Sequence, residues 1–197
     1  MARAATARLF VAVDPPAEVS AELVRWAREA VADWRSWSER RPSRPPRVLA
    51  ADSLHLTLCF LGSRPVAEIA PLGAALDAAV RSVGELSVGA PLWLPPRRAH
   101  ALAVELGDPA GELAALQRST EQALAQASGW LPERRRFRAH ITLARVRAGS
   151  ARARSAEILP ATPRLTFTPA AILLYRSMPK PEGSTYELLA ASALPLA

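Results

Sequence analysis

The stretch Leu54-His-Leu-Thr-Leu-Cys-Phe-Leu-Gly62 reads as a strand over Leu54–Leu61 that Gly62 ends, and it has a counterpart in Phe137-Arg-Ala-His-Ile-Thr-Leu-Ala-Arg145, within a strand expected over Phe137–Val146. Side chains alternate along a strand, so residues two apart share a face. The first copy therefore groups His55, Thr57 and Cys59 on one face and turns Leu54, Leu56, Leu58 and Phe60 toward a core. The second groups Arg138, His140, Thr142 and Ala144, with Ile141 and Leu143 inward. The chain has three histidines, eight threonines and 27 leucines in 197 residues. Chance alone would start two of three histidines on His-x-Thr-Leu on the order of once in ten thousand such sequences. The copies lie 85 residues apart in similar strands, which fits two related lobes facing each other.

The flanking sequence supplies the rest of an α+β chain. Arg8 to Asp14 is an apolar strand stopped by Pro15-Pro16. From Ala17 to Trp37, Val19, Leu23, Trp26, Ala30, Val31 and Trp34 recur at helical steps, with Pro16 near the first turn. Ala67–Val83 and Ala110–Ala127 carry the same signature, through Ile69, Leu72, Leu76, Ala79, Val80 and Val83, and through Leu113, Leu116, Thr120 and Leu124. Leu86–Leu94, His100–Leu106, Leu165–Tyr175 and Tyr186–Leu194 read as strands, the last two separated by the turn-rich Pro179–Ser184. Residues 38–47, rich in Arg and Pro, form neither a core helix nor a strand. Several strand pairs lack an intervening helix, so the sheets are expected to be antiparallel. No Gly-rich phosphate loop or dinucleotide fingerprint is present.

Composition narrows the function classes. Half the residues are hydrophobic and 22% are charged, a globular balance that excludes wholesale disorder. The length fits one domain spanning residues 1–197. The single Cys59 excludes an intrachain disulfide framework and a Cys-rich zinc site. No run approaches the ~20 apolar residues of a membrane helix, and Leu9–Val13 is too short for a secretory core. The expectation is a cytoplasmic protein with no membrane association and no obligate protein partner.

The net charge of +7 is unevenly spread. Residues 35–47 carry net +4 and residues 131–154 net +7, so the remaining chain is net −4. Two concentrated basic segments point to a focused anionic partner such as phosphate or RNA.

Two imidazoles across a cleft suit one chemistry well. A neutral histidine can take a proton from a nucleophile while a protonated one gives a proton to a leaving oxygen. Two threonine hydroxyls and an arginine can hold phosphoryl oxygens between them. No carboxylate pair or further histidine accompanies the motif, so neither a metal nor another cofactor is expected. Arg138 shares the face of His140 and is a candidate phosphate ligand. Arg145 falls on the opposite face by strict alternation unless a bulge intervenes. His100 lacks the motif's context and reads as a structural or surface residue, and Cys59 as a packing residue on the cleft side.

These two strands, the opening Arg8-Leu-Phe-Val-Ala-Val-Asp-Pro15 and the closing Leu174-Tyr-Arg-Ser177 and Tyr186-Glu-Leu-Leu189 resemble the 2H phosphoesterases. Within them the match is to the RNA 2′,3′-cyclic phosphodiesterases, formerly called 2′-5′ RNA ligases. Ala139 stands where that family usually has proline. The resemblance implies two pseudo-symmetric lobes, each an antiparallel sheet with outer helices, around a central cleft with one His-x-Thr motif per lobe. It implies hydrolysis, without metal, of an RNA 2′,3′-cyclic phosphate end to a 2′-phosphate. Carried onto this sequence, it makes His55 the proton donor, His140 the proton acceptor, and Thr57 and Thr142 phosphate ligands. The alternatives are a cyclic phosphodiesterase of a small nucleotide, of the ADP-ribose cyclic phosphate type, and a non-catalytic module that binds RNA ends.

Overall fold

Alternation and helical spacing account for most of the elements in the computed structural model, which describes residues 5–32, 46–95, 100–146, 159–180 and 183–195. The strands are β1 (Thr6–Val13), β2 (Arg47–Val48), β3 (Leu56–Pro65), β4 (Leu86–Leu94), β5 (Ala101–Gly107), β6 (His140–Arg145), β7 (Thr166–Phe167), β8 (Ala171–Lys180) and β9 (Gly183–Ala193). The helices are α1 (Ala17–Ala32), α2 (Ile69–Ala79) and α3 (Glu112–Ser128), with short 3-10 turns at Ala51–Ser53 and Val66–Glu68. The expected helix faces are the buried ones. Leu23 and Ala27 of α1, Leu72 and Leu76 of α2, and Leu113, Leu116, Thr120 and Leu124 of α3 are fully buried. Gly129 closes α3 in the left-handed region, φ +62°, and returns its N–H to the Ala125 carbonyl.

All strand pairs are antiparallel, in the order β7-β4-β5-β6-β3-β1-β8-β9. The path consists of two four-stranded halves, β3-β1-β8-β9 and β6-β5-β4-β7, that meet where Leu56 pairs with Ile141. β2 continues along the same edge of β6, pairing Val48 with Ala144 and Arg47 with Arg145. Helices α2 and α3 pack together and against the first half, while α1 packs against β6 and β2. Both motif strands therefore run through the centre of the sheet, at the seam between its halves.

Several boundaries differ from the sequence reading. The stretch Leu165–Tyr175 is two strands, because Pro169 has no N–H for a ladder and restrains Thr168 before it. Helix α2 ends at Ala79, although Val83 beyond it is still buried. Residues 137–139 precede β6, and Arg47, expected in a loop, joins β2. Trp34, Trp37, residues 38–45 and the basic stretch 147–154 lie outside the described residues. No helix among the described residues is long and apolar enough to cross a membrane.

Candidate active site

The Leu56–Ile141 pair decides where the motif side chains go. Both residues are buried, 1% and 0% exposed, so they face the helices. Their neighbours His55, Thr57, His140 and Thr142 must then emerge together on the opposite face. Continuing the antiparallel register sets Thr57 beside His140 and Thr142 beside His55. The four motif residues expected on one surface are thus brought to one place from stretches 85 residues apart in the chain.

The two imidazoles are held in the same way. His55 Nδ1 lies 3.0 Å from the Ser53 carbonyl oxygen, and His140 Nδ1 lies 2.7 Å from that of Arg138. Each partner is the carbonyl two residues upstream. A carbonyl can only accept, so Nδ1 carries the hydrogen in both rings. That leaves Nε2, the group able to take or give a proton at a substrate, without a protein partner among the described residues.

Each motif strand also carries a bulge at the same step. In β3 Thr57 pairs with Ala12 and Cys59 with Val11, so Leu58 has no partner. In β6 Thr142 pairs with Ala103 and Ala144 with Leu102, so Leu143 has none. The extra residue inverts the alternation beyond it. Cys59 and Ala144 consequently face the core, with 4% and 0% exposure, and Phe60 and Arg145 emerge on the histidine face. The placement of Cys59 at the cleft and of Phe60 in the core is thereby corrected. Burial pushes the Cys59 thiol far up, consistent with a packing role.

Arg145 changes the electrostatics of the site. His55 is depressed to about 4, first by burial, then by the positive charges of Arg145 and His140, while the Ser53 carbonyl opposes the shift. His55 is therefore neutral near pH 7 in the unliganded protein. Arg145 makes no ion pair among the described residues. Arg138 is engaged, since its guanidinium pairs with Glu105, the β5 residue opposite His140. Its carbonyl holds the His140 ring.

Aromatic side chains surround His55. Phe10 and Tyr186 have ring centroids 4.9 Å from the imidazole, Tyr186 edge-on, and Phe10 stacks on Tyr175 at 5.3 Å. A cavity of about 340 Å³ opens beside His55, and a second groove of about 580 Å³ runs along Glu105, Gly107, Phe137 and Arg138 on the His140 side. None of these aromatic residues was singled out by sequence reasoning. The pairing of Phe10 with Tyr175, and of Ser177 with Tyr186, brings them to one face. His100 is exposed at the start of β5, where its backbone bonds to Leu94 and Val146. Trp26, Trp93 and Trp130 are buried, and the Trp26 ring N–H donates to the Ala161 carbonyl at 2.9 Å. No group of three or more His, Cys, Asp or Glu side chains able to hold a metal occurs among the described residues.

The chain is similar to known phosphoesterases over most of its length. The family described as LigT like phosphoesterase matches residues 104–186, which include the second motif. An RNA 2′,3′-cyclic phosphodiesterase of Thermus thermophilus is 31% identical over 194 residues, covering 92% of this chain and 87% of the relative. A solved Thermus thermophilus structure superposes with a TM-score of 0.74 at 26% identity, covering 95% of this chain and 97% of the other. Escherichia coli LigT, solved with 3′-AMP, gives 0.66 at 29% identity over 96% of this chain and 99% of that one.

Proposed function

As the chain belongs to the LigT-like phosphoesterases of the 2H superfamily, we propose that it hydrolyses RNA 2′,3′-cyclic phosphate ends to 2′-phosphates without a metal. The whole chain acts as one bilobal domain, each half contributing one His-x-Thr motif. The observation that carries this reading is the pair of imidazoles, both tethered through Nδ1 to a carbonyl two residues upstream, with Nε2 unpartnered among the described residues.

The cyclic phosphate sits between the motifs, its non-bridging oxygens taking hydrogen bonds from Thr57, Thr142 and Arg145. His140 Nε2 takes a proton from water as the water oxygen attacks phosphorus. The P–O3′ bond breaks, and His55 Nε2–H gives its proton to O3′, leaving a 2′-phosphate and a 3′-hydroxyl. The two rings end with their protons exchanged and reset through solvent. A proton donor depressed to about 4 would be empty in the free protein. A phosphodiester brings a negative charge beside it, which favours the imidazolium and loads the donor as substrate binds. Arg145 limits that gain until its charge is matched by the phosphate.

The test is turnover of an RNA oligonucleotide ending in a 2′,3′-cyclic phosphate, followed as 2′-phosphate release in excess EDTA. His55→Ala and His140→Ala should each lose about 10²–10⁴-fold, the usual worth of one positioned acid or base. Loss of activity on chelation, restored by zinc or magnesium, would defeat the metal-free reading. Binding without turnover would instead favour an RNA-end-binding module.

A further inference from the structure

Strand β2 is two residues long, yet it sets two cations side by side on the catalytic face. Arg47 pairs with Arg145 and Val48 with Ala144. Ala144 is fully buried and Val48 packs against the core, so alternation turns both arginines to the opposite, histidine face. Each is exposed, and neither makes an ion pair among the described residues. Like charges directly opposite on neighbouring strands destabilise a ladder, and an anion bound between them reverses that sign.

A second contact places the head of Arg47. A Cβ on Gly183, where φ is +135°, would fall on the Arg47 guanidinium, so this side chain lies against the start of β9. Three residues further along β9, Tyr186 packs edge-on against the His55 ring. Arg47 thus reaches from the half of the sheet that holds His140 to the half that holds His55. Arg145, beside it, is near enough to His55 to lower its proton affinity. The two arginines stand three residues beyond Thr142 along β6, roughly 10 Å at the usual rise of a strand.

The next step rests on the phosphodiesterase reading. Thr57, Thr142 and Arg145 meet the cyclic phosphate there, and Arg47 is left over. An RNA end brings one further phosphate close by, the diester that joins the terminal ribose, through O5′, to its neighbour. We infer that Arg47 binds this internucleotide phosphate, with Arg145 between the two phosphates, so that the site recognises an RNA chain by two anions. The guanidinium is always charged and can offer paired N–H donors to the non-bridging oxygens.

Calorimetric titration of the full chain with two product ligands tests this directly. One is a dinucleotide ending in a 2′-phosphate, and the other is the same molecule with an uncharged methylphosphonate as its internucleotide linkage. The first should bind about tenfold more tightly than the second, the low end for a hydrogen bond to a charged group. In Arg47→Gln that ratio should shrink to about twofold. Equal affinities in the parent, a comparison that needs no variant to fold, would overturn the assignment. So would an undiminished ratio in Arg47→Gln, which would place the contact elsewhere. Because product binding is read, turnover is not required. Failure to hydrolyse any cyclic phosphate would count against the phosphodiesterase reading and leave this comparison intact.

Discussion

Phe60 and Arg145 occupy the same step in the two motifs, five residues after His55 and His140, and both emerge on the histidine face. They do so because each strand carries a bulge one residue after its threonine, at Leu58 and at Leu143. The backbone device is repeated, but the side chains differ. One half presents an exposed aromatic ring beside Phe10, and the other a cation with no ion pair among the described residues. The halves are alike in how they hold a histidine and unlike in what they set next to it.

Arg145 is expected to act on the phosphate and on His55 at once. Arg145→Gln should lower kcat/KM for the cyclic-phosphate oligonucleotide by about 10²-fold, as loss of one group on the transition-state charge commonly does. The same substitution removes a positive charge that disfavours the imidazolium, so His55 should titrate above its parent value of about 4. Histidine ring NMR across the pH range reads this shift in the free protein. An unchanged His55 titration would show that Arg145 does not reach the ring.

Depression of His55 also predicts an acid-sensitive fold. Its folded value of about 4 lies below the ordinary 6.5, so between these values the unfolded chain binds more protons. Stability is then full above pH 6.5 and falls as pH drops toward 4, by about 3 kcal/mol if the whole shift is realised. Asp14 acts in the opposite sense, because burial raises its carboxyl and makes the folded state the better proton acceptor there. Comparing denaturation of the parent and His55→Gln between pH 7.5 and 4.5 cancels the Asp14 contribution. The parent should lose more stability over that window, and parallel losses would contradict the shift.

How far the sequence could be read depended on local regularity. His55, Thr57, His140 and Thr142 were legible because they lie before the bulges, where alternation holds. Arg145, Phe60 and Cys59 lie beyond them, and one uncounted residue turned each to the other face. The hydrophobic spacing of α1, α2 and α3 gave the helices, since their buried leucines recur at helical steps. It could not give the Leu56–Ile141 seam, because nothing local specifies which two strands meet at mid-sheet. Asp14, Tyr175 and Tyr186 lie in stretches that carry the family resemblance, but local spacing gives them no role, and with Thr185 they converge only through long-range pairing of β1, β8 and β9.

The basic segments predict a salt signature. Residues 35–47 and 131–154 hold the positive excess, and of these Arg47, Arg134, Arg135, Arg136, Arg138 and Arg145 are exposed among the described residues. If they neutralise phosphates along an RNA strand, apparent affinity should fall steeply with salt, with a slope of about −0.7 per phosphate contacted. A cyclic mononucleotide, with one phosphate, should show a slope near the smallest value. Measuring KM for both from low to moderate salt separates an RNA enzyme from one built for a small nucleotide, for which the slopes would coincide.

The division of labour between the histidines predicts a dependence on the leaving group. Departure of a ribose oxygen generates an alkoxide unless a proton arrives, whereas a nitrophenolate departs readily without one. Loss of the acid should therefore be severe for the cyclic-phosphate oligonucleotide and mild for a nitrophenyl phosphodiester. Loss of the base should harm both, because water must be activated in either case. His55→Ala should then recover most of its deficit, about 10²-fold or more, on the nitrophenyl substrate, while His140→Ala should not. The low proton affinity of His55 in the free protein sharpens the test. A donor loaded only when the phosphate arrives should make substrate binding take up a proton, seen as a buffer-dependent heat in calorimetry with His140→Ala. Rescue of His140→Ala instead would exchange the two roles, making the depressed His55 the base that is already neutral. Rescue of neither would mean that both rings serve chiefly to hold the phosphate.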